Sequence, residues 1–277
     1  SACLVGSEMC IRDSYYKVKK DNRLPASIKM VLPNVELRIT PVSKKEPINI
    51  HCIFPPDLNP DYLNENFFNK LTFEYQEVPY SATRNGLISL GKAYKGNDTL
   101  DDDEAYIEGV NQFVVSIDKL KKVFKDNPAL KEQTVIVVSN SSNDGVSGLH
   151  AHKNYFEGPN CQLDATRQQI YQFSDLIFSA NESDRKYFLG ESKDSREEVI
   201  HKCGSLMGCI HGSDAHKLSD LFEPKDSKYC WIKANPTFEG LKQILYEPES
   251  RIKISSVQPE ELSLIHISEP TRQAEIS

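Results

Sequence analysis

The chain contains no apolar run of the roughly 18–20 residues a membrane-spanning helix requires, so no membrane association is expected. It has no Cys-x-x-Cys pair, and the five cysteines away from the termini (Cys52, Cys161, Cys203, Cys209, Cys230) are odd in number. That argues against a disulfide framework or a zinc ribbon and reads as reduced thiols in a cytoplasmic protein. No Gly-x-x-x-x-Gly-Lys-Ser/Thr loop occurs, so this stretch carries no P-loop. Basic residues are in deficit, 33 Lys and Arg against 40 Asp and Glu, for a net charge of −7. Such a balance lacks the electrostatic footprint of non-specific nucleic-acid binding and leaves room only for a local basic groove. Repeats and low-complexity tracts are absent, and there is one tryptophan, Trp231.

The two termini do not read as protein. One codon choice for Leu4 to Asp13 has a reverse complement that, shifted in frame, translates as Ser263 to Arg272. Such a match is expected of one DNA element read in opposite directions, and it resembles a transposase-type library adapter. A signal peptide is the other reading of the N-terminus, but no apolar core segment of adequate length is there. Residues 1–14 and 262–277 are therefore expected to be adapter-derived, and Cys3, Cys10 and His266 carry no functional argument. Without these ends the net charge is about −5, and what remains suffices for one large domain with a sizeable core.

What is present alternates strand-like and helix-like segments. Val35-Glu36-Leu37-Arg38-Ile39 alternates apolar and charged residues, as a strand does, and Ile48 to Phe54 is a second strand stopped by Pro55-Pro56. Glu36 is either a solvated edge-strand carboxylate or a ligand. His51 is either a satisfied core histidine or a ligand facing Glu36. Asp57 to Leu71 reads as a turn and helix, Ser81 to Tyr94 as a weaker helix, and Asp101 to about Lys125 as one long helix. The acidic run at Asp101 to Glu104 suits a helix N-terminus better than a calcium site.

Gln133 to Ser139 is the clearest buried strand. It ends in a polar loop, Asn140 to Gly145, of the kind in which α/β proteins place chemistry. His150 and His152 follow, either as a metal pair or as a solvated loop. Gln162 to Phe173 reads as a helix, Asp175 to Ala180 as a strand, and Asn181 to Leu189 as a short helix. Ser195-x-x-Glu198 is a capping box opening a helix to His201. Leu206 to Ile210 is a buried strand that delivers His211-Gly212-Ser213-Asp214-Ala215-His216. In extended backbone Asp214 and His216 point to one side, a carboxylate and an imidazole converging as half of a divalent-metal site. Tyr229 to Lys233 is a further strand, with Trp231 either a core anchor or a base-stacking platform. Asn235-Pro236-Thr237 starts a last helix bearing Phe238, Leu241, Ile244 and Leu245, and beyond Pro248 the chain reads as linker.

Gly212-Ser213-Asp214-Ala215-His216, with Glu36 and His51 upstream, resembles the PHP (polymerase and histidinol phosphatase) superfamily. The likeness is closer to the PHP domains fused to an SMC/ABC-like ATPase, the TrlF-like proteins. It runs through LPNVELRI, INIHCIF, DLIFSANESDRKYFLG, CIHGSDAH and YCWIKANPTFEGLKQILYEPESRIKI, covering most of Leu32 to Ile254 in order. The resemblance implies an α/β fold, a distorted (β/α)7 barrel with metals at the C-terminal strand ends. Here it would be incomplete, lacking the first strand and its His-x-His. It implies a barrel domain over 15–250, a linker beginning at 251–261 and an ATPase domain further on.

The same resemblance implies Glu36, His51, Asp214 and His216 as metal ligands, with Asp214 and His216 the catalytic pair. Where many family members place a His or Cys after the buried strand, this chain offers only Asn140, Ser141, Asn143 and Asp144. His211 would orient a ligand, act as an acid or pack. Mixed imidazole and carboxylate ligands suit Mn, Zn or Fe better than Mg. The implied activity is metal-dependent hydrolysis of a phosphate-containing substrate, nucleic acid or nucleotide among the options. A non-catalytic PHP module docking to or regulating the ATPase is one alternative, and a histidinol-phosphatase-like phosphomonoesterase is another. As given, the chain is expected to be poorly soluble or weak in metal binding, and inactive, because an opened barrel has unpaired edges.

Overall fold

A computed structural model describes residues 21, 26–42, 46–141, 145–149, 162–213 and 222–259. Strands β1 (Asn34–Val42) and β2 (Pro47–Ile53) alternate buried and part-exposed residues, as the sequence pattern requires. Only four residues separate them, too few for the crossover a parallel pair needs, so they pair antiparallel. Helix α1 (Pro60–Leu63) is capped by the Asn59 side chain and runs into a π-turn, Asn64–Phe68. A hairpin of β3 (Thr72–Tyr75) and β4 (Val78–Ser81) follows. Helix α2 (Arg84–Lys95) starts at a Thr83 cap and stops at Gly96, whose φ is 62°.

Next come α3 (Asp102–Gln112), β5 (Val115–Ser116), α4 (Ile117–Asp126), α5 (Pro128–Glu132) and β6 (Val135–Ser139). They lead to α6 (Gln162–Phe173), β7 (Leu176–Phe178), α7 (Glu182–Phe188), α8 (Arg196–Cys203) and β8 (Gly208–Ile210). The described part ends with β9 (Tyr229–Ile232), α9 (Phe238–Gln243), α10 (Pro248–Arg251) and β10 (Ile252–Ser255).

The chain is an α/β protein built on a mixed six-stranded sheet ordered β5-β1-β2-β6-β7-β8. β2 is antiparallel to both its neighbours, while the β1–β5, β6–β7 and β7–β8 pairs are parallel. One face presents Leu37, Ile50, Cys52, Ile136, Val138, Ile177 and Cys209 to the helices, meeting Leu87, Leu90, Leu120, Phe124, Ile170 and Val199. Each such fully buried aliphatic or aromatic side chain stabilises the fold by about 1.5–3 kcal/mol relative to its exposed state. The other face joins Ile53, Val135, Val137, Leu176 and Ile210 to Phe238, Leu241 and Ile244 at α9. By alternation Glu36, Arg38, Asn49 and His51 belong to this second face.

Three expectations are corrected. The long helix over 101–125 is two helices, because Val115–Ser116 leaves helical geometry to pair with Ile39–Thr40 at the sheet edge. Ser116 then recaps the chain by accepting the Lys119 N–H at 3.2 Å, and Ile107, apolar as it is, is 59% exposed. The polar stretch beyond Pro248 is not all linker: Ile252–Ser255 pairs antiparallel with β9, and Ile254 is buried. Trp231 lies on that two-stranded ribbon, partly exposed, rather than in either core cluster. The acidic run behaves as read. Asp101 accepts the N–H groups of Asp103 and Glu104, and Asp102 and Asp103 pair with Lys92 and Arg84.

Candidate metal centre

Glu36 and His51 stand directly opposite each other on β1 and β2. Side chains so placed start about 4.5–5.5 Å apart on one face. The row continues through Val137, Leu176 and Gly208, so five strands contribute one residue each at a single level. The next row toward the C-terminal ends of β6, β7 and β8 is Ser139, Phe178 and Ile210. His211 follows Ile210 directly.

Two neighbours fix the His51 ring. Its Nδ1 lies 3.1 Å from the Asn34 side-chain amide. Its edge meets Phe178, with ring centroids 4.6 Å apart and an interplanar angle of 81°. An amide beside Nδ1 holds the imidazole in one orientation. The Asn34 atom that faces Nδ1 is Nδ2; only with the amide rotated to present its oxygen to an Nδ1–H would Nε2 be left free to act as a donor. On a flat sheet Glu36 and β8 would be about 19 Å apart, four strand spacings. The His51 ring reaches Phe178 on β7, whose register partner on β8 is Ile210.

Asn140 is used differently. It is buried, its Oδ1 accepts the Tyr171 hydroxyl at 2.7 Å, and its N–H donates to the Phe178 carbonyl at 3.3 Å. Tyr171 belongs to the helix-side cluster, so the Asn140 side chain is drawn away from the face of Glu36 and His51. Burial pushes the Tyr171 hydroxyl above its ordinary range. His211 is partly buried just past β8. Its backbone hydrogen-bonds the Cys230 thiol, an effect that opposes the upward push of burial on that group. Asp214, His216, Asp144, His150 and His152 lie outside the described residues.

The described residues thus bring two of the four expected ligands together. Among them no group of three or more His, Cys, Asp and Glu side chains is disposed to hold a metal ion. The donor types fit a transition-metal half-site, a carboxylate beside an oriented imidazole. Sequence reasoning missed Asn34, Ser139 and Phe178. Period-two alternation from Glu36 gives Asn34, and the same parity on β6 selects Ser139 over Asn140. No family model, no curated protein and no solved structure matches the chain.

Proposed function

We propose that the chain is the PHP-like part of a metal-dependent phosphoesterase. The observation that carries this reading is the Glu36–His51 pairing on adjacent strands, with His51 oriented by Asn34 and leaning toward the β7–β8 side of the sheet. In this reading Glu36 and His51 supply one half of a divalent-metal site, and Asp214 and His216, on the segment leaving β8, supply the other. Mn, Zn or Fe suits that donor set. The metal would lower the pKa of a bound water toward about 7 and neutralise charge on a phosphoryl group. Asn34 holds the imidazole in place, and Phe178 gives its flank an apolar wall. The distorted (β/α)7 barrel, the cytoplasmic setting and the ATPase partner belong to the same proposal.

The reading is tested by titrating the chain with Mn and Zn and measuring metal affinity. Wild type is compared with Glu36→Gln, His51→Ala, Asp214→Ala and His216→Ala. Metal affinity falling at least tenfold in each variant supports it. Equal metal binding by wild type and all four variants overturns it. The Asn140–Tyr171 bond favours a second reading, a non-catalytic module, because it withdraws the polar residue at the end of β6. A chain that binds metal through these four residues, yet hydrolyses no phosphoester in its full-length context, would establish that alternative.

A further inference from the structure

Tyr229 and Trp231 are two residues apart on β9 and therefore share a face. Across the β9–β10 ladder Tyr229 opposes Ser255 and Trp231 opposes Lys253. The Lys233 N–H donates to the Arg251 carbonyl at 2.8 Å, which extends the ladder by one step and puts Lys233 at the same parity as Trp231. The other face of the ribbon holds Cys230, Ile252 and Ile254. Ile254 is buried, and Cys230 and Ile252 pack against the second-face cluster. A Cβ on Gly208 would come within 2.3 Å of Ile252 Cδ1, so the ribbon is seated tightly against β8. Its aromatic face is consequently turned away from the main sheet.

That face carries two aromatic rings and two lysines. The Tyr229 and Trp231 ring centroids are 6.2 Å apart and tilted by 56°. Both polar edges are occupied: the indole N–H donates to the Ser255 carbonyl at 3.1 Å, and the Tyr229 hydroxyl donates to Glu223 at 3.1 Å. The planar faces are what a ligand would meet. Among the described residues neither Lys233 nor Lys253 has an ion-pair partner, whereas nearby Lys228 and Arg251 pair with Asp226 and Glu247. Two planar rings beside two ammonium groups complement a ligand that alternates flat, apolar groups with single negative charges.

We propose that the outer face of the β9–β10 ribbon binds single-stranded nucleic acid. Bases stack on Trp231 and Tyr229, and phosphates pair with Lys233 and Lys253. Stacking of this kind demands unpaired bases, because duplex bases hide their faces. The site requires no metal, so the proposal does not rest on the phosphoesterase reading. It also reconciles a net negative chain with a local nucleic-acid contact.

Trp231 is the only tryptophan, so its emission reports the site directly. The whole chain is titrated, in EDTA and at low salt, with oligothymidylate of about 12 nucleotides, within the span such platforms cover. Saturable quenching that weakens as salt rises is the expected result. Anisotropy of a labelled oligonucleotide then reads the variants. Lys233→Glu/Lys253→Glu and Trp231→Ala should each weaken binding by about tenfold or more, with circular dichroism unchanged. The surface lysine pair keeps the test decisive if Trp231→Ala fails to fold. Absence of binding, equal competition by inorganic polyphosphate or duplex DNA, or unchanged affinity in the lysine variant overturns the proposal.

Discussion

Gly91 and Gly109 bring α2 and α3 into backbone contact: a Cβ on Gly91 would lie 3.0 Å from the Gly109 nitrogen and 1.8 Å from the Ala105 carbonyl oxygen. A Cβ on Gly109 would lie 1.9 Å from the Leu87 carbonyl oxygen. Alanine is the better helix former by about 1 kcal/mol, but here the methyl meets backbone that cannot rotate away. Gly91→Ala and Gly109→Ala should each destabilise the chain by about 1–3 kcal/mol, the usual cost of overpacking. The urea midpoint measures this, and a rise in midpoint would show that the two helices separate freely.

The first turn of α8 links stability to acid. Ser195 and Glu198 cap each other, with Ser195 N–H to Glu198 at 2.7 Å and Glu198 N–H to Ser195 Oγ at 3.3 Å. The Ser195 backbone N–H holds the Glu198 carboxyl below its ordinary value, and Lys202 does the same for Asp194. A carboxyl depressed in the folded state stabilises it fully above the unfolded pKa, about 4, and loses that effect as pH falls through the lower folded value. Glu198→Gln should therefore lower the urea midpoint at pH 7, and the difference from wild type should shrink below about pH 4. A gap that widens in acid would contradict the capping account.

The Tyr171–Asn140 pair makes a second stability prediction. Tyr171→Phe leaves a buried Asn140 oxygen without that donor, and an unsatisfied buried acceptor costs about 1–3 kcal/mol. Chemical denaturation of the variant measures the loss. Because burial raises both the Tyr171 and the Tyr187 hydroxyls, alkaline absorbance titration of the wild type should show at least these two tyrosines ionising only with unfolding.

Asn34 provides a more delicate test of the metal reading than the ligands do. It touches His51 without being an expected ligand. Asn34→Ala should weaken Mn or Zn binding by about 10–100-fold, as loss of ligand-orienting partners does, while leaving the circular dichroism spectrum intact. Unchanged affinity would separate Asn34 from any metal centre.

Thiol chemistry offers an independent check on burial. Burial pushes the Cys203 thiol up to about 11 and Cys209 further still. At pH 8 both should resist iodoacetamide in the folded chain and react once urea unfolds it, as peptide mapping would reveal. Prompt modification of Cys203 in the native protein would place α8 elsewhere.

Most of the strands were legible from their apolar pattern. Val35 to Ile39 alternates, Ile48 to Phe54 is apolar almost throughout, and the all-apolar Val135 to Val138 lies between two core clusters. α6 runs from Gln162 to Phe173 as its periodicity required, and α8 begins at the capping box. The β3–β4 hairpin was not legible. Its turn places Gln76 and Glu77 at φ 50° and 65°, positions that ordinarily announce themselves as Asn or Gly. The break at Val115 was equally hidden, since helical spacing persists through a segment that a neighbouring strand captures. In the candidate site, Glu36 and His51 were readable as residue types. Their pairing depends on the register of β1 against β2, which residue types alone do not fix. Asn140, one residue past Ser139, falls by strand parity on the other face, where its Oδ1 accepts the Tyr171 hydroxyl.

The reversed direction of β2 has a consequence for how the chain assembles. β1 and β2 are neighbours in sequence as well as in the sheet, so their hairpin closes a short loop at small entropic expense. The next pairing, β2 with β6, must wait until everything from α1 to α5 has been drawn in, and that longer closure is the more demanding event. The expected order of assembly therefore runs outward from a local hairpin, with the long-range contacts of Cys52 and Ile53 against Ile136 and Val135 forming after it.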